Sequence, residues 1–208
     1  MRIIKPSCQI LWPGTRDVIL KRIERSGRVA YRSEDRITKE SASAFVKKIV
    51  INGHHSVLEH VSVSVEATTD RGISHEIVRH RIAAYTQEST RACDYQKEKF
   101  KGQIDVVLPS FFWELKKNDP RFEIWLDAMK YAEGAYLGLR LRGVPPEVAR
   151  SVLPTCLRTK IFITYDLREW MHFFSLRAVR AAHPDMQIIA RSLLKKFQTK
   201  LPEIFGEA

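Results

Sequence analysis

Apolar and polar positions alternate most clearly over residues 61–69, VSVSVEATT, where Val61, Val63, Val65 and Ala67 interleave with Ser62, Ser64, Glu66 and Thr68. A period of two puts one set on each side of an extended chain, which predicts a half-buried strand. Residues 159–166, TKIFITYD, predict a second strand, and residues 2–12 alternate enough for a third. Elsewhere the apolar spacing is helical. Thr15 is placed to cap a helix to about Tyr31, with Val18, Ile19, Ile23 and Val29 apolar. Thr38 is placed to cap another, with Phe45, Val46, Ile49 and Val50 as its inner stripe and Asn52-Gly53 as its stop. Asp70 starts a helix to about His80. Residues 96–120 read as a loop with a short apolar stretch, broken at Asn118-Asp119-Pro120. A long helix is expected from about Arg121 to Arg142, ending at Gly143. Pro145 and Pro146 open a short helix that Pro154 closes. The last two helices fall at about 167–180 and 184–200. Strands separated by irregular helices imply an α+β fold.

Composition narrows the class. A chain of 208 residues suffices for one domain with a substantial core, and 44% hydrophobic residues is ordinary for a globular protein. No apolar run approaches the ~20 residues that cross a bilayer. The opening MRIIKPSCQILWPG lacks the apolar segment and cleavage site of a secretory signal, so a cytoplasmic location without membrane contact is expected. Cys8, Cys93 and Cys156 are widely spaced and form no CxxC pair, which suggests neither a disulfide framework nor a zinc site. The formal net charge of +11 permits nucleic-acid binding. Yet the basic residues are scattered, with no basic tail, aromatic ladder or nucleic-acid motif. An enzyme whose ligands are all anions benefits equally from such a charge.

Candidate chemistry concentrates in RHRIAAYTQESTR, Arg79 to Arg91. Arginine forks suit phosphates, and the hydroxyls and amide of Thr86, Gln87, Ser89 and Thr90 add directional hydrogen bonds. Arg79 and Arg81 would diverge by about 200° on a helix. Both reach ligands only if the helix ends there or if two ligands lie on different sides. His75, Glu76 and His80 are mis-spaced for a zinc helix, since histidines five apart are about 140° out of register. No metal site is expected. His55, Glu59 and His60 read as capping and hydrogen-bonding residues between a helix end and a strand. Ser89 lacks the Gly-x-Ser-x-Gly elbow of a nucleophile, and Cys93 stands in Ala-Cys-Asp, a context that favours packing. Arg150 and Arg177 end apolar helical stretches, where a snorkelling surface arginine is the ordinary reading.

The register Arg79-His80-Arg81, seven residues, Ser89, then Arg91 resembles the signature of the flavin-dependent thymidylate synthases. GHHSVLEHVSVSVEAT (Gly53 to Thr68), VPPEVARSVLP (Val144 to Pro154) and LREWMHFFSLRA (Leu167 to Ala178) resemble further motifs of that family. The resemblance covers about residues 50 to 200. It implies a single domain over residues 1–208, α+β, with a small mostly antiparallel sheet surrounded by helices. It also implies reductive methylation of dUMP to dTMP, with methylenetetrahydrofolate as carbon donor and NADPH reducing through FAD, in a homotetramer with shared active sites. Carried over residue by residue, Ser56, Arg79, His80, Arg81, Gln87, Asp166, Arg168 and His172 would contact FAD, together with His54 and Thr86. Glu76, Arg79, Gln87, Glu88, Ser89, Arg91, Arg150 and Arg177 would line the dUMP site. Arg177 would face the uracil ring and favour its ionised form, making C5 more nucleophilic.

Some positions depart from the commoner family pattern. Glu76 stands where glutamine is frequent and Gln87 where glutamate is frequent, so one carboxylate is kept. Thr86 and Asp166 replace asparagines, Ala92 a tyrosine and Ala181 a histidine. Two other readings remain open at this stage: a basic nucleic-acid-binding protein without catalysis, and a flavoprotein of other specificity.

Overall fold

The computed structural model describes residues 1–115 and 118–206. Lys116 and Lys117, inside the expected 96–120 loop, and the last two positions lie outside the described residues. By its internal contacts the chain divides into two compact units. The first comprises Met1–Ser7, Ala67–Arg79 and Thr86–Ile161; the second comprises Cys8–Glu66, His80–Tyr85 and Phe162–Ala208.

In chain order the elements are β1 (Arg2–Ile4), β2 (Ser7–Leu11), α1 (Arg16–Val29), α2 (Ser41–Ile51), β3 (Ser62–Asp70), α3 (Arg71–Ile77) and β4 (Ala84–Gln87). There follow β5 (Asp105–Val107), α4 (Pro120–Leu141), α5 (Pro146–Ala149), β6 (Arg158–Asp166), α6 (Leu167–Arg177), α7 (Pro184–Lys200) and α8 (Pro202–Phe205). β1 pairs parallel with β5, and β2-β3-β6-β4 form a four-stranded sheet. Leu167 N–H donates to the Val61 carbonyl at 3.0 Å, and Arg71 N–H to the Leu157 carbonyl at 3.2 Å, so β3 and β6 run antiparallel. Glu88 N–H donates to the Lys160 carbonyl at 3.0 Å, and the Tyr85 and Tyr165 hydroxyls lie 2.7 Å apart, which sets β4 antiparallel to β6. The α+β expectation with an antiparallel sheet agrees with this topology.

The alternation in β3 has its expected meaning: Val63, Val65 and Ala67 are fully buried, and Ser64 and Glu66 are partly exposed. Other boundaries differ. The single strand expected over 2–12 is two strands, separated at Lys5-Pro6, where proline has no N–H for a ladder. β4 and β5 are too short to show a period, and both escaped the sequence reading. Thr15 caps α1 as expected, accepting from Val18 N–H at 3.3 Å. α2 starts at Ser41, three residues beyond Thr38, because the Ser41 hydroxyl takes the Thr38 N–H at 2.9 Å and Thr38 stays outside the helix.

Each unit has its own core. In the first, Tyr95, Ile104, Val106, Tyr136, Ala149 and Leu157 form a buried cluster. In the second, α6 and α7 bring aromatic rings together: Trp170 lies 5.1 Å from Phe197 and 5.4 Å from Phe173, centroid to centroid. The Trp170 indole donates to the Val63 carbonyl at 3.0 Å, so a bulky ring is buried without an orphaned N–H. No helix among the described residues is long and apolar enough to cross a membrane.

Candidate active site

In the first unit, β3 hands over to α3 through Asp70, whose carboxylate accepts from Ile73 N–H at 2.7 Å. α3 stops at Ile77, earlier than the His80 expected, and Arg79 N–H closes a short turn onto the Glu76 carbonyl at 3.3 Å. Arg79, His80 and Arg81 therefore lie beyond the helix, the first of the two arrangements that let both arginines reach ligands. Arg79 ends a segment of the first unit, and His80 begins one of the second. Both arginines are exposed, as is Arg91. Among the described residues none of these three guanidinium groups is paired with a carboxylate. Uncompensated arginines in a short polar stretch are what a phosphate-bearing ligand needs.

β4 and the turn after it carry most of the expected substrate residues. The Gln87 amide donates to Ser74 Oγ at 2.9 Å and to Thr159 Oγ1 at 3.1 Å. Glu88 is fully engaged inside this unit. Its carboxylate accepts from Arg158 Nη1 at 2.6 and 2.8 Å and from Lys160 N–H at 2.8 Å, while its carbonyl accepts from Arg71. Its side chain thus ties β4 to β6. Ser89 is exposed; its hydroxyl accepts from Arg91 N–H at 3.3 Å and its carbonyl from Cys93 N–H at 2.8 Å, which folds 89–93 into a turn. Arg150, just after α5, donates to Thr90 Oγ1 at 3.1 Å and to the Glu147 carbonyl at 3.2 Å. Thr90, named in the sequence as part of the polar run, is buried; Arg158 was not singled out there. Thr86 is exposed and Glu76 partly so.

In the second unit, Gly53 ends α2 with φ 73°, a conformation that glycine adopts without strain. His54 N–H then reaches back to the Ile49 carbonyl at 2.9 Å and Gly53 N–H to Val50 at 3.0 Å, a helix-ending pair of bonds that fixes where His54 emerges. His54 and Ser56 line a cavity of about 870 Å³ with Arg28, Arg36, Lys48, Tyr31 and Phe45. Asp166 caps α6, accepting from Glu169 N–H at 2.7 Å. Asn and Asp serve equally well there, so this departure from the family pattern leaves the cap intact. Arg168 pairs with Glu59, an exposed ion pair of small energetic weight.

A buried polar cluster of this unit surrounds His80, which is 5% exposed. Its Nδ1 lies 3.0 Å from Glu169 Oε1, and Arg177 Nε donates to its Nε2 at 3.2 Å. His172 stands edge-on, 5.7 Å away between ring centroids, and the Tyr85 hydroxyl donates to the His80 carbonyl at 2.6 Å. Burial holds the His80 pKa below its ordinary value, against the opposing pull of the Glu169 hydrogen bond and charge. An imidazole that accepts from Arg177 at Nε2 carries its proton on Nδ1, facing Glu169. His80, Glu169 and His172 each present a ligand atom, all within 4.8 Å of one another. Both ring nitrogens of His80 are already engaged, however, and the Arg177 guanidinium adjoins it, which disfavours a cation.

The sequence reading missed Glu169, Tyr85 and Tyr165. The signal for Glu169 was present in its register: Glu169, Phe173 and Arg177 are spaced four apart, so they share one face of α6. No short-range pattern pointed to Tyr85. None of the cysteines is activated, since burial pushes the Cys8 and Cys156 thiols up to about 11 and raises that of Cys93.

These features define an α+β protein whose polar segments are built around exposed arginines and a buried arginine–histidine–carboxylate chain. The family model described as "Thymidylate synthase complementing protein" matches residues 18–203. The chain belongs to this family, the flavin-dependent thymidylate synthases. It is 35% identical over 176 residues to the flavin-dependent thymidylate synthase of Geobacter sulfurreducens, covering 84% of this chain and 72% of that protein. It is 34% identical over 166 residues to that of Pyrococcus abyssi, covering 79% of this chain and 66% of the relative. With the enzyme of Saccharolobus solfataricus it shares 35% identity over 177 residues, or 84% of this chain and 64% of the relative.

Proposed function

We propose that this chain reductively methylates dUMP to dTMP, using FAD, with methylenetetrahydrofolate as carbon donor and NADPH as reductant. The observation that carries the reading, beside family membership, is the set of exposed arginines Arg79, Arg81 and Arg91 that no described carboxylate neutralises. All four ligands are anions. The donor set also fits a flavin dinucleotide: His54 and Ser56 open on a cavity flanked by Arg36 and Lys48, cations suited to a diphosphate.

Bound FAD supplies hydride transfer, with NADPH as the source of electrons. What the chain does is bind, orient and polarise. Arg81, Arg168, His54, Ser56, Thr86, Asp166, His80 and His172 are assigned to the flavin, and Arg79 and Gln87 to flavin and nucleotide alike. Ser89, Arg91 and Arg150 are assigned to dUMP, with Glu76 beside them. Glu88 supports this group through Arg158 and Lys160. Arg177 is assigned to the uracil, where a guanidinium stabilises the ring anion and raises electron density at C5. The raised thiol pKa values support a route without a cysteine nucleophile. The enzyme acts as one domain over 1–208, in a cytoplasmic homotetramer with shared active sites. In support, the family match runs as one stretch through both units.

The test is release of tritium from C5-labelled dUMP, dependent on FAD, NADPH and methylenetetrahydrofolate. Failure to bind FAD at about micromolar concentration, combined with tight salt-sensitive DNA binding, would replace this reading with nucleic-acid binding by a basic protein.

A further inference from the structure

We propose that Glu169 is a positioning residue for the reaction: it fixes the His80 imidazole so that the ring, in turn, holds the Arg177 guanidinium in its working orientation. The inference rests on the proposed role of Arg177, but the geometry beneath it does not. Three groups from α6 and from the segment after α3 form a chain, with Glu169 Oε1 3.0 Å from His80 Nδ1 and His80 Nε2 3.2 Å from Arg177 Nε. Glu169 and His80 are 8% and 5% exposed, so water does not compete for the imidazole.

The directionality follows from proton counting. Arg177 Nε–H can only donate, so His80 Nε2 must be the acceptor. A neutral imidazole with a bare Nε2 carries its hydrogen on Nδ1, and the nearby Glu169 oxygen receives it. If the carboxylate is removed, the proton has no preferred place. The Nε2–H tautomer then sets two donors against each other, and the Arg177 Nε bond to the ring is lost. The Glu169 backbone is held independently, since its N–H is the one that Asp166 caps at 2.7 Å. The remaining polar neighbours of the ring are His172 on α6, Tyr165 on β6, 6.0 Å away between centroids, and Tyr85 on β4, whose hydroxyl bonds the His80 carbonyl. At the ring nitrogens themselves the bonds run to Glu169 at Nδ1 and to Arg177 at Nε2. Glu169 is therefore the group that distinguishes the two tautomers.

The experiment compares Glu169→Ala, Glu169→Gln, Arg177→Ala and the two double variants in the flavin-loaded full-length enzyme. The expected result for Glu169→Ala is a fall in kcat of about 10–100-fold, the usual effect of losing a carboxylate that orients a histidine. Flavin content and the KM for dUMP should stay within about threefold. Glu169→Gln keeps the size and an acceptor oxygen, and should lose less, about 3–10-fold. Neither substitution should cost further activity in the Arg177→Ala background, because residues acting as one unit are non-additive. Full multiplication of the losses, or wild-type kcat in Glu169→Gln, overturns the proposal. So does loss of flavin binding in both variants, which would make Glu169 a folding residue. If the wild type itself lacks thymidylate synthase activity, the functional reading fails. The relay is then decided by the 15N imidazole spectrum, with His80 protonated on Nδ1 in the wild type and altered in Glu169→Ala. An unaltered spectrum refutes it.

Discussion

Arg28→Met tests how a buried charge is held beside the candidate flavin cavity. The Glu24 side chain is 0% exposed, and Arg28 contacts one of its oxygens at 2.9 Å through Nη2 and at 3.2 Å through Nε. The other oxygen receives the Ser41 hydroxyl at 2.9 Å. Arg28 also lies over the Phe45 ring, with Cζ 4.5 Å from the centroid. Methionine keeps the apolar stem against Phe45 and removes only the charge. The carboxylate is then stranded with a single hydroxyl. Losing one partner of a buried pair costs about 3–5 kcal/mol. Because Arg28 lines the open cavity, water can reach part of the site, which argues for the lower end, about 3 kcal/mol. For a chain of this size each kcal/mol moves Tm by roughly 2–4 °C, so scanning calorimetry should show a fall of about 6–12 °C. Glu24→Leu combined with Arg28→Met should recover most of the loss, since a matched apolar pair often replaces a buried ion pair at little cost. A Tm within about 2 °C of wild type for Arg28→Met, at neutral pH, refutes the reasoning.

Arg177→Ala should lower turnover by about 10²–10³-fold while sparing FAD binding, and Arg81→Ala should lose FAD while sparing dUMP affinity. FAD titration by fluorescence and dUMP titration by flavin difference spectra separate the two, and near-normal turnover in Arg177→Ala defeats its assignment. Replacing Cys8, Cys93 and Cys156 together by serine or alanine should leave turnover within about tenfold, and the native Cys8 and Cys156 should alkylate slowly at about pH 8 because their thiols stay protonated. A covalent cysteine adduct with dUMP would contradict this. His80 should make the protein acid-sensitive: its folded pKa is lowered, so the unfolded chain gains a proton first as pH falls through about 6.5, and stability drops from there to the folded pKa. His80→Gln should lose less stability than wild type between about pH 7 and pH 5; equal losses in urea titrations would rule out this source.

Long periodic segments could be read directly. The alternation of β3, the capped start of α1 and the stop at Gly53 all depend on neighbours a few residues apart, and all lie where the pattern placed them. The spacing of the motif arginines along the chain likewise carries the family resemblance without reference to the fold. Short elements were not legible. β4 has four residues and β5 three, below the length at which a period can show. The end of α3 at Ile77, which frees Arg79 and Arg81 from a helical register, was one of two arrangements that the chain left open.

Side-chain pairings across long separations were decided only by the tertiary structure. Glu88 carries a substrate-site expectation from its motif, but its bond to Arg158, 70 positions away, could not be read there. His80 and Arg177, 97 positions apart, meet because α6 carries Arg177 back to the segment after α3. Which residue a polar group bonds depends on burial and on partners that the fold brings in. Local sequence determines backbone preference and which face turns inward; it has no term for a hydrogen bond whose two ends are far apart along the chain.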